Sequence, residues 1–391
     1  MDSENQPETP DRVPEPAAPP RAPHVPGWRT FPSPPEPDLE YQGLRWMFIG
    51  DQGLRAGWSL AVLYSVFRLI RYCIAVSNRH YHFLGRQTEF TAYVAFKGEL
   101  AALVMVLLAV GAVALIEQRS LLDFNLRGPR PALNFFSGLA AGFVALSTLV
   151  WAMDWGGWLH FGPEALSGAQ IFKYAALWGA AFLLVGCVEE GVFRCFLQAT
   201  LTRGINFWWA LASVGAMCLR LALHVEGNGV WGVYGIALAG FFPCLWLQLR
   251  KSPRSGFWQA AWVTSTAFGF VHTGNNGENW IGIFAAALIG FVFCVSIWVT
   301  GSAWWAIGCH AAWDWTETYF YGTADSGFVA KGHFLSTTTT GNPLWSGGTD
   351  GPEGSLLVIA VCLLLLLALL IIYRPQKPAQ SGIASAEQLA S

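Results

Sequence analysis

Charge is scarce in this chain. Only 12% of its 391 residues are Asp, Glu, Lys or Arg, and they nearly cancel, leaving a net charge of -2. That balance excludes the basic surface that a nucleic-acid partner requires. Paired cysteines are also missing. The eight Cys stand singly at 73, 187, 195, 218, 244, 294, 309 and 362, with no CxxC among them. They read as small buried hydrophobes, which excludes a disulfide framework and a zinc ribbon. No HExxH is present, so zincin chemistry lacks its ligand set, and no GxSxG elbow marks a serine hydrolase. The N-terminus has no apolar h-region, which excludes a cleavable signal peptide.

What is abundant is apolar surface. The chain is 53% hydrophobic, with 20 Trp, 27 Phe and a mean hydropathy of +0.39. This composition marks an integral membrane protein. The first forty residues differ, holding twelve of the 21 prolines mixed with charged residues. Residues 1–45 are expected to form a disordered or polyproline tail.

Beyond it, apolar segments of about 20 residues suit a ~30 Å hydrocarbon core. They predict helices at 57–78, 96–117, 132–152, 171–201, 206–224, 229–249, 256–273, 279–299, 302–321 and 354–373. The expected fold is all-α, a polytopic transmembrane bundle of about 8–10 helices with its active site within the membrane. The first helix is interrupted by Arg68 and Arg71, which must snorkel or lie at the interface. With the N-terminus cytoplasmic, eleven basic residues fall in inner loops (Arg45, Arg55, Arg119, Arg127, Arg130, Arg203, Arg250, Lys251, Arg254, Arg374, Lys377). Five fall outside (Arg79, Arg86, Lys97, Lys173, Lys331). The positive-inside rule then places both termini in the cytoplasm, and a bacterial-type cytoplasmic membrane is the expected location.

Three polar clusters interrupt the apolar stretches. Two adjacent carboxylates, Glu189 and Glu190, precede Arg194; ionisable groups at membrane depth mark function by default. Glu190 and Arg194 are four apart and share a helix face, so they can pair. Glu189 is rotated by about 100° and points toward a neighbouring cavity. On other helices lie His272 and the pair His310 and Asp314, again four apart, with Glu317 a further turn along the same face. Counted from the inner loops, Glu189 and His272 sit at roughly 20–25 Å and His310 at ~14 Å.

Glu189-Glu190-Gly-Val-Phe-Arg194 matches EExxxR, Phe268–His272 matches FxxxH, and His310–Asp314 matches HxxxN/D. In this order, the motifs resemble the CAAX protease and bacteriocin-processing (CPBP) family of intramembrane endopeptidases, also called type II CAAX prenyl proteases. The resemblance covers roughly 132–321. It implies that Glu189, helped by His272, activates the hydrolytic water, that Glu190 and Arg194 form the supporting pair, and that His310 and position 314 face the oxyanion. The prenyl-protein proteases have Asn at 314. An ionised Asp314 cannot donate to an oxyanion, so it must be protonated, orient His310 or bind a metal.

The expected activity is therefore an endopeptidase acting on a peptide or membrane-protein substrate in or near the lipid bilayer, with no cofactor required. A zinc-dependent version would use His272, His310 and Glu189 as ligands. Non-catalytic alternatives are a transporter, for which no inverted repeat is visible, and an immunity-type scaffold. The expected organisation is N-terminal helices (46–131), a protease core (132–321) with an extra helical pair (206–249), an extracytoplasmic loop (322–353) serving as cap or connector, a last helix (354–373) and a cytoplasmic tail (374–391). Gly138 and Gly142 form a GxxxG suited to close helix packing. No catalytic role falls to Arg220, His224 or Glu226 in the extra pair.

Overall fold

A computed structural model describes residues 45–50, 53–81, 91–223, 229–275, 277–325 and 329–373. The Pro-rich tail to residue 44, His224, Glu226 and the C-terminal tail from 374 lie outside the described residues. A short helix, α1 (Arg45–Phe48), and an antiparallel pair, β1 (Ile49–Gly50) and β2 (Gly53–Leu54), lead into α2 (Ala56–Tyr81). Next come α3 (Ala92–Glu117), α4 (Pro131–Trp155), β3 (Leu159–Glu164) and α5 (Ala169–Glu190). α5 continues through a π-helical turn, Gly191–Leu197, into α6 (Gln198–Gly204). Then follow α7 (Phe207–Ala222), α8 (Gly229–Leu249), α9 (Ser255–His272) and α10 (Trp280–Thr300). α11 (Trp304–Asp314) runs into a second π turn, Trp315–Tyr321. β4 (Leu335–Thr339), α12 (Pro343–Ser346) and α13 (Leu356–Ile372) complete the fold.

The helices fall within a few residues of the apolar segments, and side-chain caps set several starts. Thr91, Asn206, Asn279 and Ser355 each accept a backbone N–H of the first helical turn, satisfying donors that no helix can pair internally. Among the described residues, six spans are long and apolar enough to cross a membrane: α2, α3, α4, the α5–α6 rod, α8 and α10. α7 and α13 are apolar but shorter. α9 and α11, which carry the two motif histidines, are not among the six; they are interior helices with buried polar groups such as Gln259, Thr264 and His310. The chain is an all-α polytopic bundle and an integral membrane protein.

α2 is one unbroken helix lying against α3, and Arg68 and Arg71 occupy its exposed face. The GxxxG pair of α4 packs on α11. A Cβ at Gly138 would strike the Trp305 carbonyl, and one at Gly142 the Cys309 carbonyl. Gly308 reciprocates against the Phe135 carbonyl, so the two backbones touch and α11 is held in fixed register beside α4. The extra pair, α7 and α8, buries Phe207, Val214 and Val233 against Trp262 and Val263 of α9. Residues 322–354 are not without regular structure: β4 pairs antiparallel with β3, with His160 opposite Thr338. This small sheet sits at one end of the helical bundle.

Candidate active site

The first motif lies where α5 passes into its π turn. A π turn disturbs the i→i+4 ladder and commonly occurs at functional sites. Here the Arg194 carbonyl accepts from the Asn125 side chain at 2.7 Å, a partner from the loop before α4. Glu190 and Arg194 are both fully buried, with Arg194 Nε 3.1 Å from Glu190 Oε2. The ion pair is close, but Nε lacks the alignment of a directed hydrogen bond. The guanidinium instead lies over the Phe268 ring at 4.2 Å and near Phe293 at 5.4 Å. Aromatic faces stabilise a desolvated cation electrostatically.

Glu190 has a second partner. Its Oε1 lies 2.8 Å from Nδ1 of His310. A carboxylate accepts, so Nδ1 carries the proton in this bond and Nε2 is turned toward the cavity. Nε2 lies 3.5 Å from Asp314 Oδ2 and 3.9 Å from Glu189 Oε2. These are charge contacts, with Asp314 at the long limit of hydrogen bonding. Phe293 stacks on the His310 ring, 5.8 Å between centroids, and Phe268 approaches its edge. The side chain of Glu189 retains 36% exposure, and that exposure is to the cavity. The two adjacent glutamates therefore differ: Glu190 is locked in a buried pair, and Glu189 opens to the cavity beside His310.

His272 ends α9. Its Nδ1 is 2.7 Å from the Phe268 carbonyl, which can only accept, so Nε2 is left for the cavity. His272 and Glu189 line the same space of about 420 Å³, together with His310 and Asp314. That volume is within the usual range for ligand sites, ~300–1,000 Å³. The counted difference in depth between Glu189 and His310 is absent. Counting assumed parallel helices that start at one level, whereas α5 crosses α11 closely enough for a Cβ at Gly186 to lie 2.9 Å from the Ile307 carbonyl.

Three features lie beyond the sequence reading. Glu99 of α3 lines the cavity, although the first two helices fall outside the family resemblance. Asp325 and Glu353 from the 322–354 segment line it too. Glu317 lies in the π turn from Trp315 and does not line the cavity with His310 and Asp314; it is fully buried, and its carboxylate lies near those of Asp325 and Glu353. The alternative zinc ligands His272, His310 and Glu189 do not converge. Among the described residues, the group of three or more candidate ligands whose atoms lie within 4.8 Å of one another is Glu317, Asp325 and Glu353.

Among the described residues, none of those lining the cavity comes from the extra pair α7 and α8. Outside the site, burial raises the carboxyl of Glu278 to about 9, and the Asp350 charge adds to the shift. Burial raises Asp350 to about 7. Both carboxylates lie against Gly282 at the start of α10, and Asn279 N–H donates to Asp350 at 3.4 Å.

Neither the curated proteins nor the solved structures gave a match to this chain. The sequence model of the family described as Type II CAAX prenyl endopeptidase Rce1-like matches residues 242–316, a span that holds the FxxxH and HxxxD motifs but not the glutamate pair. Over residues 242–316 the chain is thus similar to the Rce1-like type II CAAX prenyl endopeptidases, in agreement with the resemblance that the three ordered motifs carry.

Proposed function

We propose that the protein is an intramembrane endopeptidase whose general base is Glu189. The observation that carries this reading is the buried line Arg194–Glu190–His310, which leaves Glu189 as the member of the glutamate pair that opens to the cavity. In the proposed reaction a water held between Glu189 and His272 attacks the scissile carbonyl carbon as Glu189 takes its proton. The carbonyl oxygen becomes an oxyanion facing a protonated Nε2 of His310. Collapse of the tetrahedral intermediate breaks the C–N bond, and the proton on Glu189 passes to the leaving amine. General base catalysis contributes typically 10²–10⁴-fold, and preorganised donors in a water-poor site add to it. Asp314 serves by orienting His310, one of the three roles open to an aspartate there.

The substrate is a peptide or membrane-protein segment cleaved in or near the bilayer. A prenylated C-terminal peptide is the first to test, because of the family match. The basic-residue bias supports an orientation with both termini in the cytoplasm, and a bacterial-type cytoplasmic membrane is the proposed location. Residues 132–321 are proposed as the catalytic core. The test is cleavage of matched prenylated and unprenylated peptides by full-length protein in nanodiscs, beside Glu189→Gln. We expect Glu189→Gln to lose at least 10²-fold in rate while retaining folded yield. Equal rates in the variant and the wild type would refute the assignment, and no cleavage of either peptide or of a trapped membrane substrate would favour a non-catalytic scaffold.

A further inference from the structure

Glu317 has no place in the proteolytic reading. It is fully buried in the π turn that follows α11, and among the described residues neither carboxylate oxygen has a hydrogen-bond partner. The backbone around it is well tied: its own carbonyl accepts from both the amide and the hydroxyl of Thr323 at 3.1 Å. The side chain is therefore held in place and points at other acids. One ligand atom each from Glu317, Asp325 and Glu353 lies within 4.8 Å of the others. Asp325 is steadied by the Thr318 hydroxyl at 2.5 Å, and Glu353 by the Trp313 indole N–H at 2.8 Å. Among the described residues no cation pairs with Glu317 or Glu353.

Three converging carboxylates, one of them buried and bare, require a positive charge or protons. We propose that Glu317, Asp325 and Glu353 form a binding site for a hard divalent cation, calcium or magnesium. The donor set is all oxygen, which suits those ions and not zinc or copper. Calcium–oxygen distances of 2.3–2.6 Å place opposite ligands about 4.8 Å apart, and magnesium requires a closer set near 2.1 Å. The ligands join two parts of the chain, the π turn that follows α11 and the 322–354 segment. A cation there ties that segment to the helix bearing His310. It also sits on the wall of the cavity, since Asp325 and Glu353 line it.

The inference is independent of the proteolytic reading and has its own readout. Full-length protein in detergent, stripped with a chelator, is titrated with calcium and separately with magnesium by calorimetry, with thermal melting in parallel. One saturable site and a higher melting temperature are expected for one or both ions, and the stronger of the two names the cation. Glu317→Gln and Asp325→Asn should each weaken binding at least tenfold. Glu189→Gln should bind as the wild type does, whatever its peptidase activity. Should Glu317→Gln fail to fold, the wild-type titration and Asp325→Asn still decide. Absence of saturable binding by either ion in the wild type would mean that protons hold the cluster together, and would overturn the site. So would full affinity in Asp325→Asn together with any folded Glu317→Gln.

Discussion

Glu190 is the residue on which the site's order depends, and a double-mutant cycle isolates its two duties. Its ion pair with Arg194 has both partners at 0% exposure and a 3.1 Å separation. With an effective dielectric of about 20, the gross attraction is about 5 kcal/mol. Arg194→Met leaves Glu190 buried with His310 as its partner. Breaking one side of a buried pair costs about 3–5 kcal/mol. At 1.4 kcal/mol per decade that is roughly two to four orders of magnitude in the folding equilibrium. Using ~2–4 °C per kcal/mol, the melting temperature in detergent should fall by roughly 6–20 °C. The double variant Arg194→Met/Glu190→Gln carries no buried charge at this point, and should recover most of that loss, because neutral replacements of a buried pair are often tolerated. It should not recover activity, since Nδ1 of His310 loses its anionic partner. Thermal melts and peptidase rates on the same preparations test both halves. A fall of less than ~2 °C in Arg194→Met would show that the pair is not desolvated as the structure has it, and a fully active double variant would refute the role given to Glu190.

Gly142→Leu should destabilise by at least ~1–3 kcal/mol through overpacking against the Cys309 carbonyl, and should lower activity by displacing His310. Gly111→Ala in α3, with nothing within 4 Å of the new Cβ, should be neutral or stabilising by up to ~1 kcal/mol; equal melting losses in the two would refute the close-contact argument. Glu278 and Asp350 are raised above the usual carboxylate range, so their protonated forms are favoured in the fold. Their contribution is complete below their ordinary values near 4 and is lost as pH rises through about 7 and then about 9. Chelator-treated protein should melt lower at pH 9 than at pH 5, and Asp350→Asn should flatten that slope; a melting temperature that rises across the range contradicts the sign. Cysteines introduced at Ser252 and Ser336 in a Cys-free background should label from opposite sides of the membrane. Labelling from one side would overturn the proposed orientation.

The helices were legible because a membrane span leaves few alternatives: its backbone must bond to itself, and its length is set by the bilayer. What stayed hidden has local physical reasons. The two π turns, Gly191–Leu197 and Trp315–Tyr321, continue the helices that precede them and carry no sequence signature. The second one holds Glu317, which does not line the cavity with His310 and whose carboxylate lies near Asp325 and Glu353. β4 did have a signal in the run Ser336–Thr340, four of whose five residues are β-branched. Glu99 was visible as a charge inside an apolar helix, the same criterion that singles out Glu189. It goes without a role because the motifs lie elsewhere in the chain.

The site shows where spacing stops being informative. Four-residue spacing is enough to pair Glu190 with Arg194 and to bring Asp314 near His310, since each pair shares one helix face. It also separates the two glutamates, and the structure buries Glu190 while opening Glu189. The bond from Glu190 to His310 spans 120 residues and no local pattern encodes it. It follows from two helix contacts that do have sequence traces: small residues at Gly138, Gly142 and Gly308 press α11 onto α4, and Gly186 lets α5 cross it. Close backbone approach at these glycines brings the glutamate of one helix to the histidine of another. Enlarging one of those glycines should therefore disturb the active site without changing any residue that lines the cavity.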